Sequence, residues 1–406
     1  MKHLLFTILL ATLCSCGSET TSTAEPDPII PDPIVPEQGK RLVGGDLSLV
    51  PAYERVGQPW YDQHGKAIPD LITYLRDEAG WNAVRVRLMV DPSQDNDPST
   101  CQDLAYVTAL GRRVKEAGMT FLLDFFYSDT WADPEQQWIP RSWHADRNTA
   151  TATLATQLRT YTQQTLDALC QAGAQPDYVQ IGNEVSYGML WDDITGKSFD
   201  NAFWLDPLWF TYDRQESGKK AQKGAIDRFA SLLNAAAQGV RQSEAAKARI
   251  ILHIERSGEK AWAGNFYQWV GMAGFQDYDV IGLSYYPFWH GNLKALESTV
   301  NFLHATYPDK EIQVVETAWN YQYGPEEAVC KGWPYTNAGQ AMYLKDLTST
   351  LSTLPVSGLY YWCPEENGNG PSHSVMNGWL NRGLWDNATH RLNATEILQT
   401  FKKWAE

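Results

Sequence analysis

Cysteine, basic charge and long apolar runs are all scarce in this chain, and each shortage closes a class of function. The 406 residues include six cysteines, with no CxxC pair and no Cys/His spacing that suggests zinc. Lys and Arg number 33 against 48 Asp and Glu, and the net charge of −15 disfavours nucleic acid, whose phosphates need cationic partners. A mean hydropathy of −0.40 excludes a polytopic membrane protein. No internal repeat is visible. A glycine-rich phosphate turn is also missing: Val43-Gly44-Gly45-Asp46 lacks a third glycine and a helix directly behind it. What remains is a globular chain, 43% hydrophobic, with a neutral or weakly charged ligand. Aromatics are the surplus, with 17 Trp, 20 Tyr and 13 Phe. Many tryptophans stand beside Asp, Gly, Asn or Pro in loops, as on surfaces that stack sugar rings; outer-layer packing of a large fold explains any single one equally well.

The amino terminus has the form of an export signal. Lys2 and His3 precede the apolar run Leu4 to Leu13, which is too short to span a bilayer, and Leu13-Cys14-Ser15-Cys16 follows. This pattern predicts a lipoprotein signal over 1–15, lipidation of Cys16, and a Pro- and acid-rich tether over 16–40 ahead of one catalytic domain, 41–406. The expected location is the cell envelope of a Gram-negative cell, anchored by lipid to the outer membrane and facing the periplasm or the outside. In that oxidising setting Cys101, Cys170, Cys330 and Cys363 can pair; Cys330 with Cys363 is favoured, with Cys101 and Cys170 as a further pair.

Strand-like runs occur at Leu42 to Gly45, Ala83 to Leu88, Thr120 to Phe125, Tyr178 to Gly182, Ile250 to Ile254, Val280 to Ser284, Ile312 to Glu316 and Gly358 to Trp362. Helical spacing separates them at Pro69 to Ala79, Asp103 to Ala117, Ala152 to Ala172, Ala225 to Arg241, Leu293 to Ala305 and Ala338 to Leu351, and Ala394 to Trp404 closes the series. Continuous apolar strands alternating with helices predict an α/β fold, a single (β/α)8 TIM barrel with long loops after its strands. The main rival, a doubly wound open sheet, would need the missing phosphate turn.

In such a barrel the carboxyl ends of the strands open on the active-site face. Reading those ends in order gives Arg87, then Asp124 with Tyr127, Ser128 and Asp129, then Asn183 with Glu184, then His253 with Glu255, then Tyr285 and Tyr286, Glu316, and Trp362. Trp131, Trp191 and Trp289 lie in the loops beyond. Two glutamates at one mouth can cut a glycosidic bond if one is protonated and the other ionised. Arg87 and a tyrosine hydroxyl are expected to hold Glu316 ionised, while burial near that charge raises Glu184. Asn183 is expected to bond the sugar 2-hydroxyl. Each residue also has a plain structural reading: His253 as a core histidine, Arg87 as a tie between strands, Asp124 as a structural acceptor, and the tryptophans as loop anchors.

The run Leu122-Leu-Asp-Phe-Phe-Tyr-Ser-Asp-Thr-Trp-Ala-Asp-Pro134, with Arg85-Val-Arg87, Ile181-Gly-Asn-Glu184, Gly188-Met-Leu-Trp191 and Val315-Glu-Thr317, resembles glycoside hydrolase family 53, the endo-β-1,4-galactanases, across about residues 42 to 401. This resemblance implies a retaining enzyme with Glu184 as proton donor and Glu316 as nucleophile. Its polysaccharide substrate would be β-1,4-galactan in the side chains of pectin, and the chemistry would require no cofactor. Bacterial relatives can hold a structural calcium; Glu365, Glu366, Asn367, Asn369 and Asp386 are the weak candidates here. Two departures touch the cleft wall: Phe126 stands where relatives usually carry His, and Leu88-Met89 where they carry an aromatic pair. A monomer is expected. The alternatives are a mannanase or xylanase of the same clan, or a surface lipoprotein that binds glycan without cutting it.

Overall fold

The computed structural model describes residues 41–57, 59–145, 149–191, 223–324, 328–368 and 380–406. The signal, the tether, Cys16 and Asn369 lie outside them. Eight parallel strands close into a barrel. They are β1 (Leu42–Asp46), β2 (Ala83–Leu88), β3 (Thr120–Phe125), β4 (Tyr178–Ile181), β5 (Arg249–Ile254), β6 (Val280–Tyr285), β7 (Glu311–Thr317) and β8 (Gly358–Trp362), with β1 pairing to both β8 and β2.

Helices follow each strand: α1 (Leu71–Ala79), α2 (Leu104–Glu116), α3 (Thr151–Gln171), α4 (Lys223–Arg241), α5 (Lys260–Met272), α6 (Leu293–Thr306), α7 (Asn337–Leu351) and α8 (Thr395–Ala405). Their ends carry the expected signals. The Asp70 carboxylate accepts the Thr73 N–H to open α1, and Gly80 closes it in the left-handed conformation, φ 67°. Helix α5 fills the interval between β5 and β6. Its aromatic residues are indifferent helix formers, yet Trp262, Ala263, Phe266, Tyr267 and Val270 fall on one buried face, so packing overrides propensity.

Strand alternation divides the interior from the shell beneath the helices. Ala83, Leu122, Ile251, Val280, Val315 and Tyr360 form an apolar plug inside the barrel. Two residues further along their strands, Arg85, Asp124 and His253 continue the inward row as a buried polar layer, joined by Asp46 and Gln180. Outward residues of the same strands, such as Val84, Val86, Leu123, Phe125, Leu252 and Leu283, belong to the larger core against the helices.

The expected disulfides do not form: Cys101, Cys170, Cys330 and Cys363 are all free. Cys170 lies in the last turn of α3, which runs back to the far end of the barrel, while Cys101 sits in the loop after β2. Cys363 is buried just past β8, where its sulfur accepts a hydrogen bond from Arg87 Nη1 at 3.4 Å; Cys330 is only half-buried in the loop after β7.

Candidate active site

A cleft of about 580 Å³ opens at the carboxyl ends of the strands, and its lining includes Glu184, Glu316, Asn183, Tyr286, Trp131 and Trp362. Glu184 and Glu316 share it, with carboxylate oxygens within 4.8 Å of each other. A local irregularity aims the second of them. Leu283 pairs with Val314 and Ser284 with Glu316, so Val315 is an extra residue in β7. Val315 faces the barrel plug, and the bulge lets Glu316 turn inward as well.

Glu316 is only 4% exposed and well partnered. Its Oε1 lies 2.8 Å from Arg85 Nη2, and its Oε2 accepts the Tyr286 hydroxyl at 2.9 Å. The same guanidinium reaches Asp46 at 2.9 Å and Asp124 at 2.7 Å, and donates to Asn183 Oδ1 at 2.8 Å. Burial pushes the Glu316 carboxyl up, while Arg85 and the Tyr286 hydroxyl oppose that rise.

Glu184 stands at the end of β4 in the left-handed conformation, φ 47° and ψ 50°, which costs a non-glycine residue about 1 kcal/mol or more. Its Oε1 accepts the Ser284 hydroxyl at 2.5 Å, and its N–H donates to His253 Nδ1 at 3.3 Å. Burial first, then the charges of Glu316 and Glu255, push its carboxyl well above the ordinary value; Ser284 pulls the other way. Among the described residues no cation stands out against that rise as Arg85 does for Glu316. Of the two carboxyls, Glu316 therefore ionises first and Glu184 keeps its proton longer.

The guanidinium beside Glu316 belongs to Arg85, which corrects the expectation for Arg87. Both point inward from β2, but Arg85 lies one layer deeper, among the carboxylates. Arg87 lies 3.9 Å from Asp46 and stacks against Trp131 at 4.7 Å and Trp362 at 5.6 Å. Trp131 is further fixed by its indole N–H, which donates to Asp97 Oδ2 at 3.0 Å. Asn183 donates to Ala132 O at 2.8 Å and lines the cleft.

The remaining candidates scatter according to strand parity. Phe126 faces the cleft, so Tyr127 turns away to meet Thr162 of α3 at 2.9 Å. Tyr286 faces the cleft, so Tyr285 turns away and donates to Gly291 O at 3.0 Å. Asp124 is a deep acceptor for Arg85 and Gln180, and burial pushes it up to about 8. Ser128 O accepts the Val90 N–H, and Asp129 accepts the Asp91 and Arg141 N–H groups, so both brace loops. Trp191 is buried against Trp138. Trp289 is 43% exposed at the mouth. His253 is fully buried behind Glu184. Sequence reasoning left out Arg382, which stacks on Trp362 at 4.4 Å, and Arg256, which lies 2.8 Å from Glu255. Both line the cleft from segments beyond the strands, where parity gives no signal.

Among the described residues, Glu184, His253 and Glu316 are the one group of three acidic, histidine or cysteine side chains at metal-ligand spacing. Both His253 nitrogens already sit in hydrogen bonds, so that group does not suit a cation. Among the described residues the acidic calcium candidates have local partners. Glu365 Oε1 accepts the Leu49 N–H, and Asp386 Oδ1 binds the Ala388 and Thr389 N–H groups of its own turn.

With this geometry in view, residues 42–398 match the sequence profile of glycosyl hydrolase family 53. The chain belongs to glycosyl hydrolase family 53. An arabinogalactan endo-β-1,4-galactanase of Cellvibrio japonicus is 33% identical over 369 residues, covering 87% of this chain and 85% of that protein. The corresponding Humicola insolens enzyme is 31% identical over 339 residues, covering 79% and 88%. Among solved structures, the Ignisphaera aggregans family 53 catalytic domain superposes with a TM-score of 0.73 at 27% identity, covering 90% of this chain and 97% of that one. A fungal β-1,4-galactanase gives 0.70 at 27% identity, covering 89% and 99%. The family 53 chain is thus a glycoside hydrolase on a (β/α)8 barrel.

Proposed function

We propose that this glycoside hydrolase cuts β-1,4-galactosidic bonds within galactan and arabinogalactan side chains of pectin, with retention of configuration. Glu316 attacks the anomeric carbon as Glu184 gives its proton to the departing glycosidic oxygen. Glu184, now ionised, takes a proton from the water that displaces Glu316 from the sugar. The observation that carries this reading is the approach of two differently surrounded carboxylates to within 4.8 Å across one cleft. A spacing near 5 to 5.5 Å suits a covalent intermediate, whereas inverting enzymes need roughly 6.5 to 9.5 Å to admit a water. The family and the names of its relatives support the substrate. Trp131, Trp289 and Trp362 supply flat rings for the C–H faces of galactose.

The test is hydrolysis of β-1,4-galactan by Glu184→Gln and Glu316→Gln. Each should lose several orders of magnitude in turnover, about 4 to 7 kcal/mol of transition-state stabilisation. Near wild-type activity in both, or inverted product anomers by NMR, rejects the mechanism. We also infer a lipid anchor at Cys16; Cys16→Ser should release the protein from membranes, and continued retention there would count against the anchor.

A further inference from the structure

The residues behind Glu184 form a closed circuit. His253 Nδ1 accepts the main-chain N–H of Glu184 at 3.3 Å, and His253 Nε2 lies 2.8 Å from Ser284 Oγ. Ser284 in turn donates to Glu184 Oε1 at 2.5 Å. One imidazole thus holds Glu184 by its backbone directly and by its carboxyl through the serine. His253 and Ser284 are fully buried on adjacent strands, β5 and β6, so the circuit rests on rigid elements.

Direction matters within it. The Glu184 N–H is a fixed donor, and so is the Gln180 amide, 3.1 Å from Nδ1 and oriented by Asp124 at 2.6 Å. Two donors on Nδ1 make it an acceptor against the single opposing contact, Asn183 Oδ1 at 3.0 Å. The ring is neutral, because burial and Arg85 push it well below the ordinary histidine value. Its proton then sits on Nε2 and points at Ser284 Oγ, which leaves the serine hydrogen nowhere better to go than Glu184 Oε1.

We propose that His253 and Ser284 are positioning residues that clamp Glu184 in its left-handed conformation and commit Oε1 to accepting, so that the transferable proton resides on Oε2. The clamp rests on the reading of Glu184 as the proton donor, and it supplies what that role needs: one oxygen that never turns its proton inward. It also moves His253 from the set of sugar contacts to the support behind the acid.

Ser284→Ala tests the clamp on two substrates. Cleavage of β-1,4-galactan, whose leaving group needs the proton, should fall about 10- to 100-fold, the scale of a misplaced catalytic group. The kcat/KM for a 2,4-dinitrophenyl β-1,4-galactobioside, which reports only the first step and whose leaving group does not need the proton, should change less than about threefold. Glu184 is faced by Glu316 on β7, Glu255 after β5 and Asp133 after β3, all of which raise its carboxyl, whereas Ser284 lowers it. Removing the serine hydroxyl should therefore move the alkaline limb of the pH–rate profile upward, and Ser284→Thr should restore both rate and limb. An equal loss on both substrates, or an unchanged rate on galactan, overturns the clamp. Glu184→Gln run alongside separates the two ideas: if it keeps activity on galactan the acid assignment itself fails, and if it alone shows the leaving-group dependence only the clamp fails.

Discussion

The two glutamates stand less than 5 Å apart in chemically opposite neighbourhoods. On the β7 side Glu316 meets a guanidinium and a phenol, and that guanidinium is shared with Asp46 and Asp124. On the β4 side Glu184 meets a serine, a strained backbone and two further carboxylates. Identical side chains are raised to different extents by what the barrel places behind them, Glu184 well above its ordinary value and Glu316 against the opposing pull of Arg85. The β7 side stabilises charge and the β4 side penalises it, which is the division of labour an acid and a nucleophile require.

The largest effects should come from deleting either carboxyl. Glu184→Ala should recover turnover of a dinitrophenyl galactobioside when azide is added and yield the β-galactosyl azide, because under the proposed mechanism the variant still forms the covalent intermediate. Glu316→Ala should form no such intermediate and, with azide, yield the α-azide. Both variants should be at least about 10⁴-fold slower than wild type on galactan, since under the proposed mechanism each removes a group that acts in the transition state. Swapped azide products would reverse the comparison.

Next in size is Arg85→Met. The shared cation is fully buried, and its loss leaves Asp46, Asp124 and Glu316 facing one another with the more distant Arg87 beside them. Unfolding by denaturant should show a loss of about 3 to 5 kcal/mol. Arg87→Met should cost less, because Arg87 sits 3.9 Å from one carboxylate and otherwise stacks on rings. Equal costs would mean that the β7 side does not depend on Arg85 in particular.

How far the sequence foretells this depends on the kind of information each feature needs. Strands β2, β3 and β8 run over the predicted residues, because a buried parallel strand is rich in apolar residues and bounded by turn residues. Both glutamates are legible as strand-end acids. Parity, applied residue by residue, would have turned Tyr127 and Tyr285 outward and kept Ser284 and Glu255 inside. The choice between Arg85 and Arg87 was not legible, since both face inward and only depth in the barrel separates them. The bulge at Val315 was invisible as well. Without it, alternation from Val315 would point Glu316 toward the helices, and no residue type announces the insertion.

A smaller effect concerns pH. Under the proposed mechanism activity needs Glu316 ionised and Glu184 protonated, so rate should fall at low pH as Glu316 gains a proton and at high pH as Glu184 loses one. Burial and like charges raise Glu184, so the alkaline limb should lie above the range of an ordinary glutamate. Glu255 contributes to that rise from 6% exposure beside the cleft. Glu255→Gln removes the like charge, lowers the Glu184 value and should move the alkaline limb to lower pH while leaving the acid limb in place. A shift of the acid limb instead would assign Glu255 to the β7 side of the comparison.

The smallest expected effect is none at all, and it bears on the β7 side. Cys363 leaves β8 in a left-handed conformation, φ 46°, with its sulfur accepting from Arg87. A bridge to Cys330 would pull that sulfur from the guanidinium and disturb the arginine beneath Trp131 and Trp362. The four cysteines among the described residues are free, so a reductant should leave the melting temperature of a chain spanning residues 41–406 unchanged, and titration after unfolding without reductant should count all four. A bridged protein would instead lose about 2 to 4 kcal/mol on reduction. Galactanase activity falling in step with that loss would make the surroundings of Arg87 depend on oxidation.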